Sequence, residues 1–446
     1  MLFRVQHLGP LSEAEVDLSK DLILLTGPYS TGKTYLAWSV FGLFRSRGAP
    51  KSFRTLLDEI LASPTQEIGF ERIQSIWPAV LEAVAENLAS RLHLCFAAER
   101  KYFSNVRVSL TDSAELKAPT DNIARFSRVG KALIARIVVG PRVSISFLDD
   151  ADRRTSSPSS IPTLTPELRL SLESSFSWAV LSAVWPTCTL LPAERTAVDL
   201  FAKELFNRRA EIVNEAVEAE LEGTAPIALA RRMGRYPWPI QDSLRLANDL
   251  IFYSRADSVF ADLASELEGL MGGSMAVSEQ GEFGFTPAGD STVAIGIHLT
   301  SSVVKSLASL VFFLRHRARL GDLLMIDEPE LNLHPDNQRK VTRVLAKAIN
   351  RGLRVIMSTH SDYILRELNN LIILSRDDSA VKEIREKYQY DERELLSPDK
   401  VGAYLFKVGR KPEPIPVTTD GFEVQTIEDE INQMNQISQE IYAALL

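Results

Sequence analysis

The sequence contains little cysteine and no strong excess of either charge. Among its 446 residues, Cys95 and Cys188 are the two cysteines, and they lack the spacing of a zinc site or a disulfide framework. This scarcity argues against a disulfide-stapled protein and favours a reducing compartment. The formal net charge of −8 argues against a protein that coats nucleic acid throughout, although a local basic patch is compatible with it.

The chain also lacks an evident secretion signal and a convincing membrane span. Its start, MLFRVQHLGP, has no extended apolar run after basic residues. The uncharged stretch 174–193 approaches membrane-spanning length, but it contains Pro186 and six serines or threonines. It is better explained as the end of a buried helix, a break, and a short strand over 187–191. We therefore expect a cytoplasmic protein with no membrane partner.

The length and composition are those of a globular protein with more than one structural unit. Hydrophobic residues make up 45% of the sequence and charged residues 24%, as in ordinary globular proteins. At 446 residues the chain can form two or three domains, or one core with a large insertion.

A glycine-rich loop near the start of the chain predicts a nucleotide site. The segment LILLTGPYSTGKT, residues 22–34, fits the pattern G-x-x-x-x-G-K-[ST]. A short buried strand is predicted before the loop, over 22–25, and helical apolar spacing follows over 35–44. A chance glycine turn rarely occurs in this strand-to-helix context. The candidate nucleotide-binding residues of the loop are Gly27, Pro28, Tyr29, Ser30, Thr31, Gly32, Lys33 and Thr34.

This order of strand, loop and helix turns backbone N–H groups and a positive helix end onto a phosphate chain. Lys33 would then contact the β- and γ-phosphates of ATP. The Thr34 hydroxyl would be a ligand of Mg²⁺.

Two adjacent acids at the end of an apolar run are candidates for the metal ligand and for the residue that activates water. In LLMIDEPELNLHP, residues 323–335, a buried strand ends on Asp327 and Glu328. Asp327 would bind Mg²⁺, and Glu328 would orient and deprotonate the attacking water. Alternatively, the acids cap the helix that starts near Pro335, which explains Asp336 but does not explain Asp327.

A histidine follows the next predicted strand. A helix over 335–350 and a buried strand over 354–358 lead to STHSDYILREL, so that His360 lies at the carboxyl end of a strand parallel to the acidic one. Ligands of open α/β sheets bind at this edge, where a histidine can sense the γ-phosphate. A lone histidine is more commonly structural, but this position favours a function.

Two further segments allow a binding interpretation. Strands over 275–299 lead into an apolar helix whose N-cap is predicted to be Thr300 or Ser301. In ARRMGRYPWPIQD, residues 230–242, basic and aromatic side chains could grip a phosphate backbone and stack on bases. A basic surface turn with inward-packed aromatics has the same pattern, and we favour that interpretation. The residues concerned are Arg231, Arg232, Arg235, Tyr236 and Trp238.

Taken in order, these motifs resemble the ABC-type ATPase heads of SMC and recombination-repair proteins. More narrowly, the chain resembles bacterial AAA-like, ABC-type ATPases related to the overcoming-lysogenization-defect proteins and to the ATPase subunit of Septu anti-phage systems. The matching blocks are residues 1–45, 187–200 and 275–446. The expected fold is therefore an α/β P-loop NTPase of the ABC ATPase-head type, with a mixed sheet and a large, mainly helical insertion.

The resemblance also divides the chain into head and insertion. Residues 1–48 would form the first part of the head, 49–186 an insertion of helices and strands, 187–200 a return to the head, 201–272 a helical insertion, and 273–446 the second part of the head.

Roles follow from the resemblance for residues that match its motifs. Asp327 would be the Walker B acid, Glu328 the catalytic base and His360 the switch histidine, while Leu331 and Asn332 would lie in the D-loop. Ser301 and Ser302 would occupy the place of the ABC signature. The segment LTSSVVKS lacks the paired glycines of LSGGQ, but the Ser302 hydroxyl and the helix N-terminus could still address a phosphate.

The resemblance implies that two heads sandwich two ATP molecules, so that the protein forms a homodimer or a larger assembly. The expected function is a regulatory ATPase of anti-phage defence that holds or activates a separately encoded nuclease or toxin. An SMC-like ATPase that tethers or repairs DNA is the first alternative. A nuclease of the lysogenization-defect type is less favoured, because only 86 residues (446 − 360) follow His360, and their acids are typical of a solvated helical face rather than of the glutamate and DxD arrangement that a two-metal Toprim site needs. A GTPase is disfavoured by the lack of an NKxD motif, and a transporter subunit by the helical insertion.

Overall fold

The computed structural model describes residues 1–46, 50–112, 116–129, 132–148, 164–205, 207, 236–289, 294–423 and 425–445. Most of the polar loop at 155–166 lies outside these residues, as do Arg231, Arg232 and Arg235.

Sixteen strands form four sheets in the described residues. In chain order the strands are β1 (Leu2–Leu8), β2 (Leu11–Asp17), β3 (Leu22–Thr26), β4 (Glu67–Gly69), β5 (Arg107–Thr111), β6 (Ile123–Val129), β7 (Ala132–Val139), β8 (Arg142–Phe147), β9 (Cys188–Leu191), β10 (Gly273–Val277), β11 (Phe283–Pro287), β12 (Ile295–Gly296), β13 (Leu323–Asp327), β14 (Arg354–Thr359), β15 (Val401–Leu405) and β16 (Glu413–Ile415).

The α-helices surround these sheets. In chain order they are α1 (Lys33–Arg45), α2 (Lys51–Ala62), α3 (Glu71–Cys95), α4 (Pro166–Val184), α5 (Trp238–Asn248), α6 (Leu250–Tyr253), α7 (Ala261–Met271), α8 (Ser302–Phe312), α9 (Pro335–Asn350), α10 (Asp362–Ile373), α11 (Ser379–Lys387) and α12 (Gln425–Ala444). Residues 195–205 are also helical, and short 3₁₀ or π turns occur at Arg100–Phe103, Ile297–Leu299, Phe313–Arg317, Glu392–Glu394 and Pro398–Lys400.

A six-stranded mixed sheet organises the molecule, in the order β16-β15-β3-β14-β13-β9. Its neighbouring strands are parallel except for β16, which pairs antiparallel with β15. Strands β3 and β13 are fully buried, as their apolar sequences LILLT and LLMID require of strands covered on both faces. The loop after β3 and the acids at the end of β13 therefore meet at the same carboxyl edge.

Alternate side chains of β3 enter two different cores. Ile23 and Leu25 pack with α1, α3 and α4 on one face, whereas Leu22 and Leu24 pack with α7 to α10 on the other. Successive side chains of a strand point to opposite faces, so five consecutive buried residues are the pattern of a central strand. This double coverage holds the carboxyl edge of the sheet rigidly.

Three antiparallel sheets flank the central one, in the orders β2-β1-β5, β4-β8-β7-β6 and β10-β11-β12. The strand pair predicted at the start of the chain is confirmed as β1 and β2, which pair antiparallel. Strands β6 and β7 form an antiparallel hairpin, β8 pairs with β7, and the three-residue strand β4 pairs with β8 from a distant part of the chain.

The uncharged stretch 174–193 folds as predicted. Helix α4 ends at Val184, Trp185 and Pro186 break it, and β9 begins at Cys188. Within the described ranges, no helix combines the length and hydropathy that crossing a membrane would need.

Candidate nucleotide-binding site

The loop between β3 and α1 has a backbone that only glycine can form at two positions. Gly27 has φ 130°, and a Cβ there would lie 2.1 Å from the carbonyl oxygen of Phe406. Gly32 has φ 100°, and its Cβ would lie 2.7 Å from Leu11 Cδ2. Both glycines are therefore required by the path of the loop. This path brings the chain to the N-terminus of α1, which begins at Lys33 without a side-chain cap.

Lys33 is held inside the loop that it would use to bind phosphates. Its Nζ donates hydrogen bonds to the carbonyl oxygens of Gly27 at 2.9 Å and Pro28 at 2.7 Å. The side chain is 5% exposed, and this burial lowers the pKa of Lys33 to about 8, against the opposing effect of the nearby carboxylates, chiefly that of Asp327. The ammonium group is consequently still mainly protonated at neutral pH.

Asp327 and Thr34 meet across the carboxyl edge of the sheet. The Thr34 hydroxyl donates to Asp327 Oδ2 at 3.3 Å, and the Ser358 hydroxyl donates to Oδ1. The register of β13 against β14 explains the second contact, because it pairs Asp327 with Ser358. Burial raises the pKa of Asp327, while the hydrogen bonds from Ser358 and Thr34 lower it.

These two oxygen donors fit Mg²⁺, which prefers oxygen ligands and keeps several from water or phosphate. In the part of the chain that the structure describes, no group of three or more His, Cys, Asp or Glu could hold a metal by itself. Most ligands of a magnesium ion would consequently come from the nucleotide and from water.

Glu328 lies directly after the strand with an unusual backbone. Its φ of 48° is in the left-handed region, which costs energy for a residue with a Cβ. Its N–H donates to the Ser358 carbonyl oxygen at 3.0 Å. Burial raises the pKa of the Glu328 carboxyl group, and the negative charge of Asp327 raises it further. A raised pKa makes this carboxylate a better proton acceptor.

His360 faces Glu328 from the end of β14. Its Nε2 lies 3.8 Å from Glu328 Oε1, and its ring stacks on Tyr29 of the loop with centroids 3.8 Å apart. Burial lowers the pKa of His360 to about 4, with a smaller contribution from the charge of Lys33. The imidazole is therefore neutral at physiological pH, and its neutral form can both donate and accept one hydrogen bond.

Glu330 is a site residue to which the sequence assigned no role. Its Oε1 accepts hydrogen bonds from the Thr359 hydroxyl at 2.9 Å and from the backbone N–H of His360 at 2.7 Å. Glu330 thus fixes the backbone that carries the histidine. The sequence did contain a signal for this residue. Glu330 is the third acid of LLMIDEPELNLHP and lies two residues after Glu328, close to the carboxyl edge of the sheet.

A hydrogen bond connects Asn332 to helix α8, which begins at Ser302. Asn332 has φ 60°, and its Nδ2 donates to Ser306 Oγ of α8 at 3.2 Å. Ser301 is confirmed as the N-cap of α8, where its Oγ accepts from Val304 N at 3.4 Å.

Ser301 and Ser302 are separate from the glycine loop of their own chain. Both are exposed, and no hydrogen bond or ion pair within the described ranges joins either residue to that loop. The structure therefore brings together the loop, Asp327, Glu328 and His360, but not the two serines.

Arg195 is a second residue that the sequence did not identify. It lies four residues after β9, is 2% exposed, and donates to the carbonyl oxygens of Asp327 at 2.9 Å and Glu328 at 3.0 Å. Every residue has a backbone carbonyl, so the sequence does not indicate which carbonyl oxygens will accept a hydrogen bond. The role of Arg195 could therefore not be predicted.

The aromatic residues of the segment 230–242 pack inward. Trp238 is buried, with the Arg45 guanidinium 4.7 Å above its ring centroid, and Tyr236 packs against an apolar cluster that includes Val198 and Ala202. Trp238 is consequently unavailable for stacking on bases, which supports the structural interpretation of this segment.

Residues 200–365 match the family described as AAA ATPase domain. The match covers less than half of the chain and includes Asp327, Glu328 and His360, while the glycine loop precedes it. It supports an ATPase in general. None of the curated proteins matches the chain.

Solved structures of SMC heads are among those similar to the chain. One is an Smc head bound to the C-winged helix domain of ScpA (12% identity, 93% of this chain and 96% of that chain, TM-score 0.35). A second is an Smc head with an extended coiled coil, bound to the C-terminal domain of ScpA derived from Pyrococcus furiosus (11%, 98% and 98%, TM-score 0.33). A third is the SMC head domain from Thermotoga maritima (10%, 94% and 98%, TM-score 0.30).

The glycine loop, the parallel order β3-β14-β13 and the family match agree on the fold class. The α/β P-loop ATPase fold expected from the sequence is confirmed.

Proposed function

We propose that the protein binds and hydrolyses ATP as an ABC-type head and acts as a nucleotide-dependent switch in bacterial anti-phage defence. In this role it would control a separately encoded effector, such as a nuclease or toxin. The observation that carries the enzymatic part is the contact between Thr34 and Asp327, 3.3 Å apart, beside Lys33 and Glu328. Few arrangements other than a nucleotide site bring a glycine loop, a buried lysine and two acids to one sheet edge.

Different site residues would bind the phosphates and the metal ion. The amides of the loop and Lys33 would bind the phosphates, with Lys33 exchanging its bonds to Gly27 and Pro28 for phosphate oxygens. Bound Mg²⁺ would supply positive charge that offsets the charge developing on the β- and γ-phosphates. Thr34 and Asp327 would hold that ion.

Glu328 would accept a proton from water as the water oxygen attacks the γ-phosphorus. The bond from that phosphorus to the β–γ bridging oxygen breaks, and ADP leaves with the electron pair. His360, neutral and 3.8 Å from Glu328, would donate a hydrogen bond to the γ-phosphate and so report its presence.

Two protomers would complete two sites. The exposed Ser301 and Ser302 at the start of α8 are free to face the nucleotide of a second copy, as the resemblance implies. ATP would then join the heads, hydrolysis would separate them, and the change in assembly would be the output. The resemblance to defence ATPases is the support for the effector.

The enzymatic proposal is tested by binding of labelled ATP and by phosphate release. We expect Mg²⁺-dependent turnover in the native chain and none above background after Glu328→Gln. A native chain that neither binds nor hydrolyses ATP would contradict the proposal.

The defence role needs a separate experiment. The operon that encodes the chain is expressed with native or Lys33→Ala protein, the cells are challenged with phage, and proteins encoded by neighbouring genes are captured. We expect a stable partner and a loss of resistance in the variant. DNA-stimulated turnover that weakens steeply with salt, without a partner, would instead favour a DNA-tethering ATPase.

A further inference from the structure

A buried arginine joins helix α8 to the acids at the end of β13. Arg195 Nε donates to the carbonyl oxygen of Ser306 in α8 at 3.0 Å. The same guanidinium donates through Nη1 to the Asp327 carbonyl oxygen at 2.9 Å and through Nη2 to that of Glu328 at 3.0 Å. One rigid planar group therefore connects the helix and the two acidic residues.

The hydrogen bond from Arg195 to the Glu328 carbonyl oxygen supports a residue with a strained backbone. Glu328 has φ 48°, and a left-handed residue with a side chain persists only where its surroundings hold it. Arg195 holds the carbonyl side of this residue, while the N–H side donates to the Ser358 carbonyl oxygen at 3.0 Å. The direction of the Glu328 side chain consequently depends on the guanidinium.

Two parallel contacts strengthen the same connection. Asn332 Nδ2 donates to Ser306 Oγ at 3.2 Å. One turn further along α8, the Ser309 hydroxyl donates to Asp199 Oδ2 at 2.5 Å, and Asp199 belongs to the same helical segment, 195–205, as Arg195. Helix α8 thus cannot move without straining contacts that lead to Glu328.

We propose that Arg195 is a positioning residue that ties helix α8 to the backbone of Asp327 and Glu328, so that the place of the Glu328 carboxylate follows the place of the helix. This inference rests on the proposed ATPase function. It identifies how contact with a second protomer at the start of α8 would reach the residue that activates water. Arg195 is 2% exposed and its guanidinium donates to backbone carbonyl oxygens, so that it would act on the reaction through Glu328.

The test compares Arg195→Lys with Arg354→Lys. Arg354 is a suitable control because it also donates to backbone carbonyl oxygens, those of Leu18 and Lys20, but lies at the opposite end of the sheet from the site. Lysine keeps the charge and loses the planar fork at both positions. Thermal unfolding of both variants shows how much each substitution destabilises the fold.

For Arg195→Lys we expect kcat to fall about 100-fold while the Kd for ATP changes less than about threefold, since a misplaced base slows chemistry without weakening phosphate binding. Arg354→Lys should leave both values near those of the native chain. An unchanged kcat in Arg195→Lys, or a parallel loss of affinity and kcat, would overturn the proposal.

A second measurement does not depend on turnover. Amide hydrogen exchange without nucleotide should increase in both 302–312 and 327–333 of Arg195→Lys, and in neither segment of Arg354→Lys. Exchange that increases in one segment alone would show that the two are not coupled. A native chain without ATP turnover would refute the proposed function, while the exchange data would still decide whether Arg195 makes the connection.

Discussion

The N-termini of α1 and α8 both carry serine or threonine residues, but their surroundings differ. The first follows the glycine loop after β3, and the second begins at Ser302. At the first, the Thr34 hydroxyl donates to Asp327, and Lys33 is held by the carbonyl oxygen of Gly27, all within one chain. At the second, Ser301 and Ser302 are exposed, and the hydrogen bond described for Ser301 is to its own helix. One region is preassembled by the sheet, and the other presents groups that a second molecule could use.

The comparison predicts the largest loss of turnover for a change at Glu328, the proposed base. Glu328→Gln should lower kcat roughly 1,000-fold, because glutamine keeps the size of the side chain but cannot accept the proton. ATP should remain bound, so size-exclusion chromatography should detect more of the ATP-dependent assembly than in the native chain. Glu383→Gln, on the exposed helix α11, serves as the control. If Glu328→Gln retained native turnover, Glu328 could not be the base.

A smaller effect is expected for a change at Lys33, the proposed phosphate-binding lysine. Lys33→Ala should weaken ATP binding about 100-fold, because charged hydrogen bonds to phosphate are lost. Titration with a fluorescent ATP analogue measures the change. Lys340→Ala, which removes an exposed lysine paired with Asp336, should leave the affinity unaltered. Equal affinities in the two variants would contradict the role of Lys33.

A substitution at the start of α8 should affect dimerisation rather than the affinity for ATP. Ser302→Ala should leave the Kd for ATP of isolated protomers unchanged and weaken ATP-dependent dimerisation about tenfold, the equivalent of one lost hydrogen bond to a charged group. Analytical ultracentrifugation of the variant in the Glu328→Gln background measures the dimer. Ser379→Ala, at the corresponding first position of α11, is the matched control. If Ser302→Ala reduced affinity in the protomer, the two regions would not be separate.

The smallest effect is expected at the ring stacked on His360. Tyr29→Ala should reduce turnover about fivefold by removing a stacking contact that orients the imidazole, whereas Tyr29→Phe should retain it. Steady-state phosphate release distinguishes the variants. Tyr388→Ala removes another exposed tyrosine and is expected to have no effect. A fall in Tyr29→Phe equal to that in Tyr29→Ala would assign the effect to the hydroxyl instead.

The parts of this molecule that were predictable from sequence are those with local signals. The apolar run of β13 and the spacing of α9, Pro335–Asn350, were recognised from periodicity alone, and the helix bounds agree with the prediction. The N-cap at Ser301 follows from the residue type that accepts an N–H bond.

The remaining contacts depend on long-range pairing. Arg195 lies 132 and 133 residues from the carbonyls that it binds near β13, and no local pattern predicts such partners. Glu330 binds the backbone of His360, which depends on β13 and β14 being neighbours. The roles of individual site residues remain predictions that the variants above examine.

Strand β14 lies between β3 and β13, and its last residues serve both neighbours. Ser358 holds Asp327, Thr359 reaches Glu330, and His360 follows immediately. A single residue inserted into this strand would exchange its faces and separate Asp327, the proposed metal ligand, from His360, the proposed γ-phosphate sensor, in one step. Homologous chains should therefore vary in the loops on either side of β14 while keeping the number of residues in the strand constant.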